Sequence, residues 1–341
     1  MKNVLYVGNH LQNSQSNTGY SSVLGPLLEQ SGYDVRYTSE KSNKALRLLE
    51  MLWTTFSTRK KTAVVLIDTY STQNFYYAVL VSQLCRVLKL PYIPILHGGN
   101  LPFRLKKTPY LSKALFKNAL VNVSPSTYLI ENFATLGYQN VVYIPNVITL
   151  ENYTYSPKPV DVPKLLWVRS FSKIYNPKLA VEVLNELQQR GYKATLAMVG
   201  PDADGSLVEV KTLANALNVE VAFTGKLSKT DWIALSKDYN VFINTTNYDN
   251  TPISVIEAMA LGLPVVSTNV GGMPYLITDG VDGILILPDD KVVMADAICA
   301  LFENPSHAAA LADNARLKVE QFDWRKVRGL WDEVLRVKNR E

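Results

Sequence analysis

The sequence predicts an α/β protein built from two doubly wound domains. Three observations predict it. Short apolar runs of strand length alternate with helical patterns through both halves of the chain, as in parallel sheets covered on both faces. The 341 residues exceed the length at which a single hydrophobic core usually stops growing. The pattern breaks once, over residues 149–163, into Asn, Tyr, Ser, Lys and three prolines, the best linker in the sequence.

The first domain opens with an apolar strand at 4–7 that ends at Gly8 and Asn9. A polar loop, 11–19, leads to a helical pattern through Val23, Leu24, Leu27 and Leu28; Gly32 stops it, and 33–37 forms the next strand. A helix beginning near Ser21 aims its positive end at the tip of the first strand, where a phosphate or sugar can bind. The dinucleotide fingerprint G-x-G-x-x-G is absent, and Gly8 and Gly19 alone read as an ordinary strand–helix turn. Residues 63–68 and 91–96 are continuous apolar strands. The second ends in His97, Gly98, Gly99 and Asn100, at the carboxyl edge where open α/β sheets bind ligands. His97 is therefore either a site residue or a turn histidine bonded to backbone. Residues 103–117 interleave Arg104, Lys106, Lys107, Lys113 and Lys117 with apolar residues, which suits either an anionic lipid surface or a solvated basic face over a packed helix. Strands at 121–123 and 141–144 complete this half.

A second series starts at Lys164. Strands are expected at 165–168, 194–199, 221–224, 241–244, 265–267 and 284–287, and helices at 178–190, 207–217, 229–237, 292–302 and 308–322. Ser228 and Asp231 form a capping-box pattern ahead of the third of these helices. Arg169, just past the first strand, stands where an anion meets the sheet edge and can fork onto phosphate oxygens; Lys173 follows in the same loop. Asp202 and Asp204 have the D-x-D spacing of some metal sites, but beside Pro201 and Gly205 they read as turn residues.

The richest stretch is 249–283. Thr251 reads as a cap and Pro252 as a first helical residue, with Gly262 and Pro264 as the stop. Inside that helix Glu257 is the only Asp, Glu, Lys or Arg between Asp249 and Asp279. An unpaired charge among Val255, Ile256, Met259 and Leu261 is costly, so Glu257 needs a partner. Either Asp249 and Glu257 face one ligand, or Glu257 satisfies backbone donors in a core helix.

Lys plus Arg exceed Asp plus Glu by 35 − 30 = 5, with a pI near 8.9, which permits a nucleic acid, a phosphorylated small molecule or an acidic membrane as partner. Cys85 and Cys299 show no metal-ligand spacing and imply neither a disulfide framework nor a zinc site. The amino-terminal apolar run is too short for a signal peptide, and no run is long enough to span a bilayer, so a cytoplasmic protein is expected.

These residues resemble the family 4 retaining glycosyltransferases. The resemblance runs through LHGGNLP (96–102), VSPSTYL (123–129), IPNV (144–147), Arg169, TGKLS (224–228), the 249–283 stretch and a Trp-containing last helix from Phe322. It implies GT-B architecture, two Rossmann-like doubly wound domains facing a central cleft. The domains would be 1–155 on the acceptor side, 156–321 for the nucleotide sugar, and a helix over 322–341 crossing back to the first. Asp249 and Glu257 stand at the family's E-x7-E spacing. By resemblance Glu257 accepts hydrogen bonds from the donor ribose, Asp249 contacts the donor sugar, and the segment Asn250, Thr251, Pro252 and Ile253 offers backbone amides to sugar and phosphates. Arg169 and Lys173 serve the diphosphate, Gly225 and Lys226 the nucleotide, His97 the donor sugar, and Asn17 and Gly19 the acceptor-side loop.

The implied reaction moves a sugar from a UDP- or GDP-type donor to a hydroxyl acceptor with retention, without a metal or other cofactor and without nucleic acid. The acceptor would be a glycan or lipid-linked glycan of cell-surface or polysaccharide synthesis. The protein would be cytoplasmic, with peripheral contact at the inner membrane face through 103–117. The sequence departs from the family in Asp249 for Glu, Val168 for Gly, Tyr275 for Glu, and a shift of about one position at Lys173. The alternatives are a glycoside hydrolase using Asp249 and Glu257, whose carboxyls would need to flank a bond, and a non-enzymatic two-lobed sugar-binding protein.

Overall fold

The computed structural model describes residues 3–10, 19–159 and 161–336; Asn17 and most of the 11–19 loop lie outside them. The chain divides into two compact units. One comprises residues up to Ile148 together with those from Trp324; the other is Thr149–Asp323. Residues 149–155 belong to the second unit because Leu150 and Tyr153 are buried in it.

The first unit runs β1 (Asn3–Val7), α1 (Ser21–Gln30), β2 (Asp34–Thr38), α2 (Lys44–Thr58), β3 (Val64–Thr69), α3 (Asn74–Val87), β4 (Tyr92–Leu96), α4 (Leu101–Lys107), α5 (Pro109–Phe116), β5 (Asn122–Ser124), α6 (Thr127–Thr135) and β6 (Val141–Tyr143). Its six parallel strands lie in the order β2-β1-β3-β4-β5-β6. β3 and β4 are buried at every residue, which is why they read as unbroken apolar runs. Right-handed crossovers place α2, α3 and α5 together over one face of the sheet, and α3 packs against both α2 and α5. The basic 103–117 segment is two helices, broken at Thr108 because the residue before Pro109 is steered out of helical geometry.

The second unit runs β7 (Lys164–Val168), α7 (Pro177–Gln189), β8 (Thr195–Val199), α8 (Ser206–Ala216), β9 (Ala222–Gly225), α9 (Lys229–Leu235), β10 (Val241–Asn244), α10 (Ile253–Leu261), β11 (Val265–Thr268), α11 (Met273–Leu276), β12 (Ile284–Ile286), α12 (Lys291–Glu303) and α13 (Pro305–Val319). Its parallel order is β12-β11-β10-β7-β8-β9, around a core holding Trp167, Phe171, Leu184, Met198 and Ile243. Ser228 caps α9: its Oγ accepts the Asp231 amide at 3.2 Å and donates to the Asp231 carboxylate at 2.7 Å. The chain then adds α14 (Trp324–Leu335) to the first unit, where Tyr33 donates its hydroxyl to Asp332 at 2.9 Å.

Both sheets have a topological switch point, where the connections change direction. In the first unit it lies between β1 and β3, in the second between β7 and β10. Loops leaving neighbouring strands there diverge and leave room for a ligand at the carboxyl edge.

Trp331 on α14 is 1% exposed, and its indole nitrogen has no hydrogen-bond partner. Trp331→Ala should cost about 3–5 kcal/mol. Trp331→Phe, which keeps a ring and removes the unpartnered N–H, should cost less than about 1.5 kcal/mol; denaturant unfolding of the two variants checks the ordering.

Candidate functional site

In the second unit the site residues gather at the β7/β10 switch point. Arg169 follows β7 directly, its amide donating to the Val199 carbonyl at 3.0 Å. Asp249 lies in the loop between β10 and α10, and the Arg169 guanidinium pairs with its carboxylate. The guanidinium also lies over the Tyr175 ring, 4.4 Å from its centroid. Burial, opposed by Tyr175, holds Arg169 below its ordinary basicity.

The loop carrying Tyr175 is tied to the one leaving β10. Trp167 donates to Thr245 Oγ1 at 3.0 Å, that hydroxyl donates to the Tyr175 carbonyl at 2.8 Å, and the Asn247 amide donates to the Ile174 carbonyl at 2.8 Å. Arg169 is thus fixed in place by two strands and two loops.

The helix bearing Glu257 starts one residue later than the sequence suggested. Thr251 is not its cap; Pro252 takes that position in an extended conformation, and Ile253 is the first helical residue. The reason is the fit of residues 249–250 against 271–272. The Gly272 amide donates to the Asp249 carbonyl at 3.1 Å, and a Cβ on Gly272 would stand 2.0 Å from the Asn250 carbonyl oxygen, so this crossing needs glycine. Of the amides expected to face a ligand, Pro252 has none, and that of Asn250 is taken by Asp249 Oδ1 at 2.9 Å.

Glu257 is 3% exposed on α10, a helix buried at every residue from Val255 onward. Its Oε1 accepts the Tyr153 hydroxyl at 2.7 Å and pairs with the Lys229 ammonium. Burial first, then the Glu257 charge, push the Tyr153 phenol far above its usual range, so it remains a donor. The partner Glu257 demanded is therefore inside the unit, from residues 28 and 104 positions away, and neither was legible locally. Lys229 does stand immediately after the recognisable cap Ser228, a signal that places it at a helix start but not at a carboxylate.

Lys173 is not brought to this cluster. Its side chain is 73% exposed and its ammonium lies 3.4 Å from Glu209, because the short helical turn over Lys173–Tyr175 directs it outward. Asp202 and Asp204 are turn residues: Asp202 accepts the Gly205 amide at 2.9 Å, and Asp204 accepts the Ser172 hydroxyl at 2.9 Å and the Lys173 amide at 3.0 Å. Among the described residues no group of three or more His, Cys, Asp or Glu is placed to hold a metal. Gly225 and Lys226 lie at the end of β9, two strands from β7 on the same carboxyl edge.

In the first unit the corresponding edge carries His97 and a residue the sequence reading passed over, Asp68. His97 Nε2 lies 2.8 Å from Asp68 Oδ1, which also accepts the Tyr6 hydroxyl at 2.9 Å. Burial and the adjacent Asp68 keep the Tyr6 phenol well above its ordinary value, so Tyr6 donates. Tyr20 edge-on and Tyr70 stacked, each 5.1 Å away between centroids, hold the ring. Asp68 Oδ2 is buried, lacks a hydrogen-bond partner and faces Gly8, where a Cβ would come within 2.4 Å. The charged end of the apolar strand 63–68 was the available signal. Gly19 sits against the Asn9 carbonyl just ahead of α1.

Residues 153–318 match the model of the family described as Glycosyl transferases group 1. A glycogen synthase of Mycobacterium tuberculosis is 25% identical over 149 residues, 43% of this chain and 36% of that protein, so the chain spans well under half the length of this relative. Among solved structures, sucrose-phosphate synthase from Thermosynechococcus elongatus superposes with a TM-score of 0.82 at 18% identity over 98% of each chain. Anabaena HepE in complex with UDP-glucose gives 0.79 at 18% identity, over 98% of this chain and 99% of that one. At these identities the likeness is one of fold, and the fold is GT-B.

Breaking the Arg169–Asp249 pair from one side leaves a half-buried charge alone. Arg169→Met should destabilise by about 3 kcal/mol, and adding Asp249→Asn should restore part of that loss; a double-mutant cycle by denaturant unfolding measures the coupling.

Proposed function

We propose that this chain, whose residues 153–318 match the model of the Glycosyl transferases group 1 family, transfers a sugar with retention from a nucleoside diphosphate sugar to a hydroxyl acceptor. The observation that carries the reading is the pairing of Arg169 with Asp249 at the β7/β10 switch point, ahead of the helix that buries Glu257. Departure of a nucleoside diphosphate needs a fixed cation, and Arg169, stacked on Tyr175 and bound by two loops, costs little reorganisation when charge develops. The α10 amino terminus adds partial positive charge at the same place. HepE, whose fold this chain shares, was solved with UDP-glucose, which supports a donor of this class.

In this reading Glu257 receives the ribose hydroxyls, Asp249 the donor sugar and Arg169 the diphosphate. The lysine on the diphosphate is Lys229 rather than Lys173: its ammonium already stands at Glu257, and a ribose diol arriving on that carboxylate frees it for phosphate. The leaving phosphate takes the acceptor proton, and His97 Nδ1 accepts a sugar hydroxyl in the first unit. The product belongs to cell-surface or polysaccharide synthesis, made at the cytoplasmic side with peripheral contact to an anionic membrane. The hydrolase alternative is disfavoured because Asp249 and Glu257 are each turned to a separate cation and do not flank a bond.

A thermal-shift panel of UDP- and GDP-sugars identifies the donor, and the anomeric configuration of the product by NMR tests retention. Glu257→Ala should raise the donor KM at least about tenfold, the loss of a charged hydrogen bond. Arg169→Ala should lower kcat about 10²–10³-fold. An unchanged donor KM in the first variant removes the ribose role, and an unchanged kcat in the second removes Arg169 from leaving-group stabilisation.

A further inference from the structure

The helical layer over the first unit's sheet turns large apolar side chains outward. On α2 the inner side is Arg47, Met51, Thr54 and Thr55, yet Leu46, Leu49, Trp53 and Phe56 recur at spacings of three and four on the opposite, exposed side, with Trp53 at 68% exposure. On α3, Tyr76, Leu80 and Val87 do the same, Val87 at 79%. Phe103 on α4 and Tyr110 on α5 extend the surface. These helices are neighbours: the Tyr77 hydroxyl donates to the Lys44 carbonyl and the Gln83 amide to the Ala114 carbonyl, both at 3.2 Å. A contiguous apolar patch of this kind on a folded surface marks an interaction site.

The charge on the layer is predominantly positive; its one acid, Glu50 on α2, accepts the Ser39 hydroxyl. Residues 69–130 contain no Asp or Glu but seven Lys and Arg, and Arg59, Lys60 and Lys61 close α2. The cations lie beside the aromatic rings, Arg59 4.1 Å from the Phe56 centroid and Lys107 5.8 Å from that of Phe103. A second copy of this face would meet its own charge. An anionic bilayer complements both features, taking the apolar side chains at the depth of the acyl boundary and the cations at the lipid phosphates.

We propose that the α2, α3 and α5 face of the first unit docks on an anionic lipid bilayer, with Trp53, Leu49, Phe56 and Val87 as the inserting side chains. This deepens the peripheral-contact reading given above, moving its anchor from residues 103–117 to α2 and α3, but it rests on no step of sugar transfer. A protein that binds vesicles and transfers no sugar retains it; one that transfers sugar and ignores vesicles loses it.

The test is co-sedimentation of the full chain with vesicles of phosphatidylcholine alone or with about one third phosphatidylglycerol. Binding to the anionic vesicles is expected at low salt and should vanish near ~1 M salt, where screening falls to about 3 Å. Leu49→Ser with Trp53→Ser, and separately Lys106→Glu with Lys113→Glu, should each weaken partition at least about tenfold. Arg169→Ala should bind as the parent does. Failure to bind at low salt overturns the proposal, as does equal binding to neutral vesicles. Self-association in the absence of lipid that the Leu49/Trp53 variant abolishes also overturns it, because the face would then join copies of the chain.

Discussion

A carboxylate withdrawn from water must be met by a cation or a donor, and that requirement orders the second unit's ligand edge. Glu257 is enclosed by a helix that is apolar on every side, so its countercharge has to come from another element, and α9 supplies it through Lys229 while the chain entering the unit supplies Tyr153. Asp249 imposes the same demand on β7 through Arg169. Four separate parts of the sequence are thereby brought to one edge of one sheet. A buried ion pair of this type contributes little net stability, since desolvation offsets attraction. What it contributes is placement: donors and acceptors are already oriented where a polar ligand can exchange for them. Asp68, Tyr6 and His97 repeat the logic in the first unit, with an imidazole and a phenol meeting the carboxylate.

The alternation of strand and helix was legible because burial of a parallel sheet writes itself as unbroken apolar runs, and β3, β4 and β10 carry that mark at every residue. The importance of Glu257 was legible for the same reason, as a lone charge in such a run. Its partners were not. Pairing across 28 and 104 residues leaves no periodicity, and Lys229 read only as the residue after a helix cap. Lys173 misled because spacing along the chain does not tell which way a short turn sends a side chain, and this one faces Glu209. Helices α2 and α3 escaped the sequence reading: α2 turns its apolar stripe of Leu46, Leu49, Trp53 and Phe56 to solvent and Arg47, Thr54 and Thr55 inward, the reverse of what burial of an amphipathic face implies, and α3 carries apolar residues on both sides.

The passage from β10 to α10 shows how backbone fit governs side-chain chemistry. Because Gly272 lets the Asn250 carbonyl approach closely, residues 249–251 are held as a loop, and the helix begins at Ile253. Asp249 consequently hangs ahead of the helix, free to turn toward β7.

The return of α14 gives the molecule the layout of a domain inserted into another. Within the second unit its own two ends meet, the Leu150 amide donating to Asp323 at 3.0 Å, and within the first unit the Trp324 amide donates to the Ile148 carbonyl, also at 3.0 Å. During synthesis the first unit therefore lacks Val327, Trp331 and Leu335 until the ribosome has passed the whole of the second. Closing so long an intervening segment is entropically costly while it is unfolded. Once the second unit has folded and joined its ends, the closure shrinks to a few residues. The order of assembly is thus inscribed in the connectivity, with the contiguous unit able to finish first and the divided one completed by its last helix.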